Sequence, residues 1–154
     1  MEIKLITVGK VKENYYRDKI ESLIKEINRS SKKSIKLIEV PDESIPENAG
    51  DAIMKSIKEK EGKKILAKID SKDYVTALCI DGKKTDNKML KELYIKAENK
   101  FASSFDLIIG GSIGLSDEVV KRADYKLSVS DMTFPHQLMR VLLLEIICDS
   151  LYDC

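Results

Sequence analysis

The run Phe105-Asp106-Leu107-Ile108-Ile109-Gly110-Gly111-Ser112-Ile113-Gly114 is almost wholly apolar for five residues and then breaks into glycine. A short apolar segment with that ending reads as a strand buried on both faces, as in a parallel sheet. Ser116 is placed to cap a short helix over residues 117–122. The same alternation repeats on either side. Residues 3–8 read as a buried strand stopped by Gly9-Lys10, and residues 14–29 carry Tyr16, Ile20, Leu23, Ile24 and Ile27 at helical spacing. A strand over 35–40 closes at Pro41, where Pro41-Asp42-Glu43-Ser44-Ile45-Pro46 has turn chemistry. A helix over 49–69 turns Ile53, Ile57, Ile65 and Ala67 inward, with a break or bend expected at Glu61-Gly62. Strand 74–80 is turned by Asp81-Gly82, and helix 87–101 leads into the quoted strand. Strand 125–129 follows the short helix, and Pro135 suits the first residue of a final helix.

The order is βαβαβαβαβα, which implies an α/β fold with a mostly parallel sheet and helices on both faces. At 154 residues, with no linker and no repeat, the chain reads as a single domain over residues 1–154. The final helix is apolar on nearly every side, through Leu138, Val141, Leu142, Leu143, Leu144, Ile146 and Ile147, with Arg140 and Glu145 as exceptions. Such a helix needs cover all round. Its own sheet supplies one wall; the other is a loop of the same chain or, the better reading for so small a protein, a second subunit.

Hydrophobic residues make up 43% and charged residues 34%, a balance that excludes a disordered chain or a fibre. The 27 basic against 26 acidic residues do not by themselves mark a nucleic-acid binder. Their distribution is uneven: residues 101–154 carry 4 Lys/Arg against 8 Asp/Glu. Attraction to RNA would therefore come from the first two-thirds of one chain, or from another chain. No apolar run is long enough for a membrane helix, and the N-terminus alternates rather than forming a signal peptide, so a cytoplasmic protein is expected. Three cysteines without a paired framework agree with a reducing compartment, and Cys79 reads as a small core residue. With His136 the only histidine, no metal site is expected.

Open α/β sheets bind ligands beyond the carboxyl ends of their strands. The loops after Ile80, Ile109 and Val129 leave such ends. The Gly110-Gly111-x-x-Gly114 loop lets a ligand approach backbone N–H groups, or serves packing alone; it is neither a P-loop nor a dinucleotide motif. Ser128-Val129-Ser130-Asp131-Met132-Thr133-Phe134-Pro135-His136-Gln137 is the more informative segment. Its apolar side chains and free backbone groups suit an adenine ring. His136 and Arg140 share a helix face beside it. His136 and Arg140 are the catalytic candidates; the other readings are a capping or packing role for His136 and, for Arg140, an RNA or phosphate contact or a surface ion pair. The lysines between 55 and 68 read as a solvated face.

At these residues a family pattern emerges. Val8-Gly9-Lys10, Glu39-Val40-Pro41-Asp42-Glu43, Lys60-Glu61-Gly62, Leu78-x-Ile80-x-Gly82-Lys83, Ile108-Ile109-Gly110-Gly111-Ser112-x-Gly114-Leu115 and Met132-Thr133-Phe134-Pro135-His136-Gln137-Leu138-Met139-Arg140-Val141 resemble the RlmH-type SPOUT methyltransferases over residues 1 to about 145. The resemblance implies an α/β trefoil knot over about residues 74–150, which general topology rules would not suggest. It implies a homodimer and S-adenosylmethionine-dependent methylation of N3 of a pseudouridine in bacterial 23S large-subunit rRNA, within assembled ribosomes. Carried over by position, the cofactor contacts fall on Leu78, Gly110, Val129, Ser130, Asp131, Met132, Thr133 and Phe134.

The pattern departs at the end. The resemblance implies a Tyr-Arg-Ala-like helix and a basic Tyr-His tail after Glu145, where this sequence reads Ile146-Ile147-Cys148-Asp149-Ser150-Leu151-Tyr152-Asp153-Cys154. Asp149 and Asp153 put negative charge where RNA phosphate is expected, which opposes binding. The alternative expectation is therefore a family member that binds the cofactor or the ribosome but transfers poorly.

Overall fold

The computed structural model of the chain describes residues 1–30 and 34–152; Asp153 and Cys154 of the tail lie outside the described residues. Five strands form one sheet: β1 (Glu2–Val8), β2 (Ile35–Val40), β3 (Tyr74–Lys84), β4 (Ser104–Ile109) and β5 (Tyr125–Ser128). Their order is β2-β1-β4-β3-β5, and every neighbouring pair is parallel. The helices are α1 (Asn14–Ser30), α2 (Asp51–Leu66), α3 (Asn87–Asn99), α4 (Asp117–Arg122) and α5 (His136–Ile147). A π-helical turn, Cys148–Tyr152, continues α5.

The side chains of each strand alternate between two cores. On one face Ile3, Leu5, Phe105 and Leu107 pack with Leu23 and Ile27 of α1, Tyr94 of α3 and Leu144 and Ile147 of α5. On the other, Ile6, Val8, Val75 and Ile108 meet Ile65 of α2 and Val119 of α4. β4 is buried at all six positions, as its apolar run requires. Ser116 caps α4, accepting from the Val119 N–H at 3.4 Å.

Six local expectations are corrected. Asp81-Gly82 does not end β3: the strand makes an irregular excursion after Leu78 and pairs with β5 again, Lys83 with Leu127 and Lys84 with Ser128. Gly82 permits this, because a Cβ there would lie 2.7 Å from the Leu127 carbonyl carbon. Glu61-Gly62 does not break α2; both residues are buried in its interior, where Gly62 packs against Ser116. The inward row is therefore Ile57, Glu61 and Ile65, while Ile53 and Ala67 are exposed. Pro135 sits at the N-cap with extended ψ, so His136 is the first helical residue. Cys79 is a free, half-buried thiol on a cavity wall instead of a core residue. Cys148 is disulfide-bonded, which the sequence reading of an unpaired set did not expect.

No helix among the described residues is long and apolar enough to cross a membrane. They also hold no cluster of three or more His, Cys, Asp or Glu side chains suited to a metal ion.

Candidate active site

The carboxyl ends of the strands carry two adjoining cavities. The first, of 410 Å³, is walled by β3 where its excursion begins, the end of β4, the segment after β5 and the start of α5. Leu78, Gly110, Val129, Ser130, Met132, Thr133 and Phe134 all line it. Of the positions expected there, Asp131 alone points away, its side chain 78% exposed and paired with Lys84. His136 borders the same cavity from the first turn of α5.

Each wall has a local cause. The loop after β4 folds tightly: Gly111 and Gly114 form an isolated bridge, and the Gly114 N–H donates to the Gly111 carbonyl at 3.1 Å. A Cβ at Gly110 would lie 2.8 Å from the Gly114 carbonyl carbon, so this close backbone approach excludes any larger residue. The segment after β5 is held by its own serines. Ser128 Oγ donates to the Ser130 carbonyl at 3.1 Å, and Ser130 Oγ accepts from the Met132 N–H at 3.1 Å. The Thr85 N–H donates to the Ser128 carbonyl at 3.0 Å, fastening this segment to the second pairing of β3. Ile80 and Met132 stand at the mouth, largely exposed.

The second cavity, of 500 Å³, lies at the ends of β1 and β2 and shares Gly111, Ser112 and His136 with the first. His136 is half-buried between the two. Burial and the nearby Arg140 charge lower its pKa, against an opposing pull from Asp42. The imidazole is therefore neutral near pH 7 and able to accept a proton.

Arg140 does not reach solvent. It is 1% exposed, donating to Glu39 Oε2 at 2.9 Å and to the Val8 carbonyl at 2.8 Å. Its guanidinium ties α5 to β1 and β2, which corrects two of the expectations for it, an RNA or phosphate contact and a surface ion pair. Asp149 is engaged by Asn87, whose Nδ2 donates at 2.7 Å.

The sequence reading missed the second cavity, and with it Glu61. The signal was present. Glu61 stands four residues from Ile57 and four from Ile65, on the buried stripe of α2, and a carboxylate on an apolar stripe is a marker worth following.

The family model described as "Predicted SPOUT methyltransferase" matches residues 1–149. Ribosomal RNA large subunit methyltransferase H of Clostridioides difficile is 48% identical over 145 residues, covering 94% of this chain and 90% of that protein. The protein of the same name from Bifidobacterium adolescentis is 49% identical with the same coverage. A solved structure of a Legionella pneumophila methyltransferase in complex with SAM superposes with a TM-score of 0.50 at 11% identity. It spans 97% of this chain and 66% of that one, a likeness of fold. With the strand-end cavities and the glycine loop in place, these matches identify the chain as a member of the SPOUT methyltransferase family, of the RlmH type.

Proposed function

We propose that this chain uses S-adenosylmethionine to methylate N3 of a pseudouridine in large-subunit rRNA, acting on assembled ribosomes in the cytoplasm. The observation that carries the reading is the first cavity, where loops far apart in sequence converge at Leu78, Gly110 and the segment 129–134. Its volume is that of a site for a molecule of cofactor size. Leu78, Val129, Met132 and Phe134 supply the apolar slot that an adenine ring takes, and the glycine loop offers backbone groups at its edge.

S-adenosylmethionine, when bound, supplies an electrophilic methyl group on a sulfonium. The protein has to orient a ring nitrogen toward that group and help it lose its proton. His136, neutral and set in the wall common to both cavities, is the group placed to take that proton. Gly110 and the serine-braced segment 128–132 hold the cofactor wall rigid, which is what an in-line transfer requires.

The working unit in this reading is a homodimer of single-domain subunits. Leu138, Val141, Leu142 and Ile146 of α5 are only half-buried in one chain, and Ile80 and Met132 extend the same need for cover to the mouth of the first cavity. The double pairing of β3 with β5 around the excursion after Leu78 supports the α/β knot over about residues 74–150.

The test is transfer of a labelled methyl group from S-adenosylmethionine to ribosomes lacking the modification, alongside calorimetry of cofactor binding. Incorporation at one large-subunit pseudouridine is the expected result. Cofactor binding without incorporation would favour the alternative, a binder impaired by its altered C-terminal sequence. Absence of cofactor binding would overturn both.

A further inference from the structure

Three of the quoted motifs, Val8-Gly9-Lys10, Glu39-Val40-Pro41-Asp42-Glu43 and Lys60-Glu61-Gly62, have no part in the cofactor cavity. They meet around the second one. That cavity opens between β1 and β4, adjacent parallel strands whose following helices, α1 and α4, lie on opposite faces of the sheet. A crevice where connections part in this way is where open α/β sheets take their ligands.

One group in it is chemically unfinished. Glu61 is 5% exposed and lines the cavity. Its Oε2 accepts from the Glu43 N–H at 3.0 Å, while Oε1 has no hydrogen-bond partner among the described residues. Gly111 stands beside that oxygen: a Cβ there would lie 3.3 Å from Oε1, so any larger residue would crowd it. Burial raises the carboxyl pKa; the Glu43 N–H and the Lys64 charge oppose the rise, and the Asp42 and Glu43 charges reinforce it. Leaving a buried carboxylate oxygen unpaired is costly, so the arrangement calls for an N–H donor from whatever enters.

We propose that the second cavity receives the pyrimidine ring of the target nucleotide and that Glu61 Oε1 accepts a hydrogen bond from its N1–H. This rests on the pseudouridine reading above and adds the residue that selects the base. Pseudouridine carries a free N1–H because its sugar is attached through carbon; in uridine N1 holds the sugar and has no hydrogen. N1 and N3 flank the same carbonyl carbon, so a ring whose N1–H meets Glu61 leaves N3 free to face the wall of Gly111, Ser112 and His136 shared with the cofactor cavity. Lys10 and Lys12 are exposed at the rim, where cations attract the phosphates of the incoming nucleotide.

Glu61→Gln tests this against the parent, with ribosomes bearing either pseudouridine or uridine at the target. The expected variant binds S-adenosylmethionine as the parent does and melts no lower, since a buried charge has been removed. Its kcat/KM on pseudouridine falls by about 10- to 100-fold, the worth of one charge-assisted hydrogen bond, and its preference over uridine narrows. A variant with the parent's rate and preference would overturn the proposal. So would a loss of activity matched by weaker cofactor binding or a lower melting temperature, because Glu61 would then be a scaffold residue. A parent that methylates neither ribosome overturns the underlying function and this inference with it, so the parent's own rate separates the two failures.

Discussion

Glu39 Oε2 accepts from the Arg140 guanidinium at 2.9 Å and from the Val11 N–H at 3.2 Å, so one carboxylate joins β2, the segment after β1, and α5. Removing it leaves the Arg140 cation buried without its counter-charge. Glu39→Ala should therefore lower the unfolding free energy by about 3 kcal/mol in urea titration. Replacing Arg140 by Met in the same background should recover part of that loss, because the stranded charge goes with it; a double variant no more stable than Glu39→Ala would count against this account. The four-residue spacing of His136 and Arg140 made their common helix face legible in the sequence. Their depth was not legible, because helical period fixes phase and says nothing of what packs on top. Val8 and Glu39, which bury Arg140, come from 132 and 101 residues away.

Elements show the same division. Strands β1, β2, β4 and β5 were readable from apolar runs closed by turn residues, and the helices from their period. The second half of β3 was not, since Asp81-Gly82 is turn chemistry and only the return of the chain beside Leu127 makes it strand. In α2 the Glu61-Gly62 step looked like a break because propensity is local, whereas the packing of Gly62 on Ser116 is tertiary. The glycine loop after β4 reads in the sequence as a place where a ligand approaches the backbone, whereas what approaches Gly110 in the structure is the backbone of Gly114. Gly110→Ala thus acts by deforming the loop instead of filling the cofactor space. We expect S-adenosylmethionine affinity to drop at least about tenfold in calorimetry, the scale of 1–2 kcal/mol of induced strain. Unchanged affinity would mean that this loop is not part of the cofactor wall.

For the molecule as a whole, two properties follow from what is buried and what is left half-covered. Asp106 is fully buried and its pKa rises to about 7, chiefly by desolvation, with Ser104 and Lys4 opposing. Lys4 lies 3.9 Å from it but is engaged by Asp73 at 2.7 Å. Between the unfolded value of 3.8 and about 7 the folded state holds more protons than the unfolded one. The contribution of Asp106 to stability therefore falls as pH rises through that window, by at most about 4 kcal/mol. Asp106→Asn should flatten the fall when urea midpoints are compared at pH 4 and pH 8; a parallel pair of curves would refute the assignment. In the homodimer proposed above, Leu142→Lys on the outer side of α5 should yield a monomer in light scattering, and a variant that stays dimeric would place the subunit contact elsewhere.

The register of β3 against β5 also bears on the order in which the protein becomes competent. A chain emerges N-terminus first, so β1, β2 and α2 are made early, but the crevice around Glu61 stays unfinished until Gly111, Ser112, His136 and Gln137 join its wall. The cofactor wall must wait for the segment after β5 and for its fastening at Thr85 and Ser128, contacts that span long stretches of chain and form slowly. Neither cavity is complete until α5 docks, because His136 forms part of the wall of both, so a half-made subunit holds no finished site at all.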